Sequence, residues 1–157
     1  MKLERWALIA EVIGGVAIVV TLIFLIFEIR GNSAAIHAAA ATSISERSHS
    51  LITTSMANSA LLDAIVREAQ GEELSASEKV LLDYSNAANL KLAEESYIAF
   101  QQGNLDEEVW LTRAEFILDR LASEHERVRW AVRRESGWYV QGFVDYIDAE
   151  LASRYGQ

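Results

Sequence analysis

Residues 6–27 form a run of 22 positions with one charge, Glu11, and residues 12–27 carry none. At ~1.5 Å of rise per residue, about 20 such residues cross a ~30 Å hydrocarbon layer. Backbone in lipid must satisfy its own hydrogen bonds, so the run is predicted to be a transmembrane helix. Trp6 with Arg5 marks one interface, and Glu28 with Arg30 marks the other. The apolar stretch of a cleaved signal peptide is shorter, about 7–15 residues, which favours an uncleaved anchor over residues 1–30.

Past the anchor the pattern becomes helical. Residues 33–56 are alanine-rich, with a thin apolar stripe of Ile36, Ala40, Ile44 and Leu51. They read as a stalk, residues 31–57, that either self-associates or is covered by later helices. Gly31, Asn32 and Ser33 can cap a new helix or be carried through one. Residues 59–70 are a short amphipathic helix that stops at Gly71. Ser75 and Glu78 have capping-box spacing and open a helix that can run to Gln102, with Leu81, Tyr84, Ala88 and Leu92 on one face. Asp106 opens a segment with Trp110, Ala114, Ile117 and Leu121 on one stripe. Residues 124–135 are a charged helix, and residues 138–155 a last one with Val140, Phe143, Val144, Ile147 and Leu151 inward. No alternating pattern of useful length suggests a strand. The expected fold is all-α: one N-terminal transmembrane helix followed by a bundle of four to six helices over residues 58–157.

The absence of proline fits long helices. The absence of cysteine excludes disulfides, thiolate chemistry and iron–sulfur ligation. The formal charge of −9 is unevenly placed. Residues 1–57 hold four basic and four acidic groups, so the imbalance lies in the distal domain. An acidic surface repels phosphate backbones, which argues against a nucleic-acid partner.

Within the anchor, Ala7, Ala10, Gly14, Ala17 and Thr21 follow alternating spacings of three and four and share one seam. Small residues let helices approach closely in lipid, so the seam is a candidate for self-association or for joining a larger membrane complex. Glu11 lies beside it, and a carboxylate at membrane depth is a functional candidate by default. Its other reading is an interfacial side chain that bends toward the headgroups.

The chain resembles a family of small bacterial membrane proteins that join one N-terminal span to an uncharacterised helical domain. The resemblance rests on Trp6, Ile9, Glu11 and Gly14, then Glu28, Ile29, Arg30 and Asn32. Leu74, Ser75 and Glu78, and Gly103, Leu105, Asp106 and Trp110, extend it along the chain. It implies a single-pass protein of the bacterial inner membrane with its soluble domain in the cytoplasm, and brings no activity. The flanking charges, Lys2 and Arg5 against Arg30 and Arg47, leave orientation close to a tie.

Catalytic chemistry finds little support. Glu46 and His49 have the spacing used in di-iron carboxylate bundles, but those sites need a second copy, and neither His37 nor His125 supplies one. Glu94 and Glu95 are adjacent on a helix, point in different directions and read as a solvated face. There is no glycine-rich phosphate loop or nucleophile elbow. No catalytic residue, cofactor or metal is expected. Arg127, Arg129, Arg133 and Arg134 gather around Trp130, a candidate surface for headgroups or an acidic partner. The alternative places Trp130 in the core and pairs the arginines with acids. The expected function is a membrane-anchored interaction or scaffold protein. The second reading is a small homo-oligomeric channel with a ring of Glu11 carboxylates.

Overall fold

The computed structural model describes residues 2–156, with side chains given for Trp6 and from Glu11 onward. Among the described residues six helices follow one another: α1 Lys2–Ala57, α2 Ser59–Ala69, α3 Ala76–Gln101, α4 Glu107–Arg120, α5 Glu124–Arg134 and α6 Gln141–Tyr155. No strand occurs among the described residues. The fold is all-α, and among the described residues one helix is long and apolar enough to cross a membrane.

The helix ends follow their local chemistry. The Asn58 side chain accepts from the Leu61 N–H at 3.1 Å and starts α2. Ser75 and Glu78 complete the expected capping box at α3: Glu78 takes the Ser75 N–H at 2.7 Å and Ser75 Oγ takes the Glu78 N–H at 3.3 Å. Gly71 and Gly103 follow α2 and α3 with φ of 72° and 68°, a conformation in which a Cβ is strained. Gly31, Asn32 and Ser33 are carried through α1.

The chain divides into two compact units, Met1–Ala38 and Ala39–Gln157. In the first, the large apolar side chains of residues 12–27 are 46–69% exposed. The second is a bundle built from all six helices, since α1 enters it from Ala39 onward. Ile44 is buried in its core, with Ala41 and Leu51 packed alongside. The distal part of the expected stalk is therefore a layer of the bundle.

Trp110, Ala114, Ile117 and Leu121 of α4 are buried, as are Phe143, Val144, Ile147 and Leu151 of α6. Around Trp110 the aromatic rings interlock: Tyr97 and Tyr146 meet it edge-on at 5.3 and 5.1 Å, and Phe100 stacks at 6.2 Å. A smaller core of Leu61, Ala64, Leu74 and Leu82 holds α2 on α3. Two expectations fail. Tyr84 is 69% exposed, and α3 instead buries Leu82, Leu90, Leu92, Ala93 and Ser96. Squeezed between α2 on one side and α4 and α6 on the other, α3 has no single inward stripe. The last helix begins at Gln141 rather than at residue 138, and Val140 stays exposed.

That late start has a cause in α3. The Glu94 carboxylate is buried and accepts the Val140 N–H, so it supplies the acceptor at the α6 N-terminus that Val140 cannot. Lys91 balances it at 2.6 Å and also donates to the Trp138 carbonyl.

Candidate functional site

The small-residue seam lies on the apolar part of α1. Ala7 and Ala10 fall outside the residues whose side chains are described; Gly14, Ala17 and Thr21 are exposed on the helix. A Cβ added at Gly14 would meet nothing within 4 Å, so the position is open to a neighbouring helix. The Thr21 hydroxyl donates to the Ala17 carbonyl at 2.8 Å. It therefore needs no outside partner and keeps the seam compatible with lipid or with a close helix. Glu11 is exposed beside these residues.

The arginine cluster is brought together on α5, but not as an open basic surface. Trp130 is only 2% exposed, and its Nε1–H donates to Asp148 at 2.7 Å. It packs edge-on to Phe143 and so belongs to the core. Arg129 pairs with Glu126 at 2.7 Å and reaches Glu68 and Asp83 at 3.5 Å. Arg133 takes Asp83 at 2.9 Å, and Arg134 takes Asp148 at 2.7 Å. Arg127 lies over the Tyr155 ring at 4.6 Å and donates to the Ala122 carbonyl. Arg129 and Arg133 thus tie α5 to its neighbours. Burying guanidiniums demands local partners, and the acids of α2, α3 and α5 supply them.

The adjacent carboxylates Glu94 and Glu95 diverge as their helical spacing requires, but only Glu95 is on a solvated face, paired with Arg47. Glu46 and His49 border a shallow depression with Ser50 and Thr53. Sequence reasoning missed a different set, Glu68, His125 and Glu126, whose ligand atoms lie within 4.8 Å of one another. Spread over two helices, it leaves no spacing signal. Arg129 bonds Glu126 and reaches Glu68, so a guanidinium already occupies the cationic place among these carboxylates.

Two concave surfaces also went unread. One is a depression of about 440 Å³ between α3 and α5, where Val80, Tyr84, Val128, Val132 and Trp138 are all more than half exposed. The spacing of Val128 and Val132, one turn apart, was its available signal. The other, about 530 Å³, lies between the distal part of α1, α3 and α4. It contains Arg113, which no sequence pattern singles out.

No protein-family model matches the chain, and no curated protein or solved structure matches it either.

Proposed function

We propose that the protein is a single-pass, membrane-anchored interaction protein of the bacterial inner membrane, which self-associates or joins a larger membrane assembly through the seam of α1. One observation carries the reading: the large apolar side chains of residues 12–27 are exposed, beside a stripe of small residues that includes Gly14, Ala17 and Thr21. Water would penalise that much apolar surface, at about 25 cal/mol per Å², whereas lipid accepts it. Within lipid, the stripe is where another helix could come closest. Since the chain from Ala39 onward belongs to the bundle, helix pairing falls to the segment before it. The bundle lies on the cytoplasmic side in this reading, which protease protection in sealed vesicles would test.

The deciding experiment is the mass of the full-length protein extracted gently into lipid nanodiscs, compared with Gly14→Leu. A defined oligomer or hetero-complex that dissociates on substitution supports the proposal. A wild-type protein that is strictly monomeric and co-purifies with nothing overturns it. An oligomer that conducts ions, and loses conductance in Glu11→Gln, would replace the scaffold with a pore.

A further inference from the structure

Six arginines of the helical bundle, Arg47, Arg67, Arg129, Arg133, Arg134 and Arg154, each meet a carboxylate. Arg113 does not. Half-buried on α4, it donates to the Ser48 hydroxyl of α1 and rests 5.9 Å from the Phe116 ring centre. It lines the cleft of about 530 Å³ between α1, α3 and α4, a volume within the roughly 300–1,000 Å³ of small-molecule sites. Around it the walls are mainly apolar: Ile44 and Leu92 form the floor, while Ile52, Val109 and Phe116 remain 39–57% exposed.

We propose that this cleft binds a single-chain amphiphile with a carboxylate head, such as a long-chain fatty acid, its head on Arg113 and its tail along Ile52, Val109 and Phe116. A guanidinium is a planar fork matched to a carboxylate, and the pairing strengthens where water is thinned out. Burial pushes the Arg113 guanidinium below its ordinary value, and no neighbouring acid opposes the effect. The remaining polar groups of the cleft leave Arg113 as its cation. The Thr112 hydroxyl donates to the Glu108 carbonyl and the Asn89 amide to the Ser85 carbonyl. Glu108, exposed at the rim, adds a negative charge that disfavours a dianionic phosphate head over a monoanionic carboxylate. A tail in the cleft covers Ile52, Val109 and Phe116, which are otherwise exposed there. The site lies within the Ala39–Gln157 unit, so the inference does not depend on the proposed membrane assembly.

The test uses full-length protein in nanodiscs of zwitterionic phosphatidylcholine, exposed to hexadecanoic acid carrying a photoreactive diazirine, with adducts mapped by peptide mass spectrometry. Adducts are expected on residues 44–52 and 109–116. Unlabelled hexadecanoate should compete, and hexadecanol should not. Arg113→Gln is expected to lower adduct yield about tenfold, as loss of one charge-assisted hydrogen bond implies, while Arg113→Lys retains part of it. Because Arg113→Gln could disturb packing, Ile52→Trp provides a second variant, filling the cleft from an exposed position; it should also remove the adducts, with an unchanged helical melting curve. Adducts scattered over the protein, adducts concentrated in the α3–α5 groove, or yields indifferent to both variants would overturn the site. Equal competition by hexadecanol, or stronger competition by hexadecyl phosphate, would overturn the carboxylate head.

Discussion

The indole N–H of Trp130 donates to one oxygen of Asp148 at 2.7 Å, and the other oxygen of the same carboxylate holds Arg134 at 2.7 Å. One side chain of α6 thus satisfies a buried donor and a surface cation of α5. Asp148→Ala is expected to cost about 2 kcal/mol, since it strands a buried N–H. Asp148→Asn keeps an acceptor for the indole and loses only the half-exposed ion pair, so it should cost about 1 kcal/mol or less. Urea unfolding of the bundle, followed by tryptophan fluorescence, separates the two; equal losses would show that the indole bond contributes nothing.

Glu94 and Glu95 should differ sharply despite being adjacent. Glu94→Ala leaves Val140 without its acceptor and Lys91 without its carboxylate, and should cost about 3 kcal/mol. Glu95→Ala breaks an exposed pair with Arg47 and should stay within about 0.5 kcal/mol. Amide hydrogen exchange adds a local reading: in Glu94→Ala, protection should fall first across the opening turn of α6.

At the second residue of α6, a Cβ on Gly142 would lie 2.9 Å from the Tyr97 hydroxyl oxygen. Alanine usually stabilises a helix over glycine by about 1 kcal/mol. Here the Tyr97 ring is held by Trp110, Phe143 and Tyr146, so it cannot swing clear. Gly142→Ala should therefore destabilise by about 1 kcal/mol net. Tyr97→Phe, which removes the obstructing oxygen, should turn the same substitution neutral or favourable. A thermal-melt double-mutant cycle measures the coupling, and simple additivity would sink the clash.

Stability should fall at both ends of the pH scale. Hydrogen bonds from Ser75 hold the Glu78 carboxyl below its ordinary value of 4.5, and Arg154 does the same for Glu115. A lowered carboxyl pKa contributes stability above the unfolded value, and that contribution is lost as pH drops through the folded one. Burial pushes the Tyr139 and Tyr146 phenols above their ordinary value of 10.0. Their contribution is complete below pH 10 and disappears as pH rises through the folded values. In urea titrations, Ser75→Ala should lower stability at neutral pH and shrink the acid loss, because Glu78 then titrates closer to its unfolded value. Tyr139→Phe should shrink the alkaline loss, and an unchanged alkaline limb would assign that loss to other groups.

Legibility followed the number of neighbours each helix has. For α4 and α6, Trp110, Ala114, Ile117, Phe143 and Ile147 could be placed inward from spacing because each helix shows one main face to the core. For α3, covered on two sides, the same reasoning put Tyr84 inside when it is exposed. The Ser75–Glu78 cap was readable because both partners sit within one turn. The cap at Val140 was not, because its acceptor lies 46 residues earlier. Likewise, the arginines of α5 were visible as a group, but apart from Glu126 on α5 itself the acids that occupy them come from α2, α3 and α6. Arg113 gave no signal at all; its interest comes from a carboxylate that the fold does not provide.

Ile44 and Leu151 close the same core although roughly a hundred positions separate them. On a ribosome the first is made well before the second, by on the order of ten seconds at about 5–20 residues per second. The bundle therefore cannot close before α6 has been made, and its aromatic centre waits for that helix. The apolar stretch of α1 emerges ahead of everything that completes the bundle. In the proposed setting, insertion into the bilayer comes first and folding of the domain second, with the growing chain already tethered at the membrane surface.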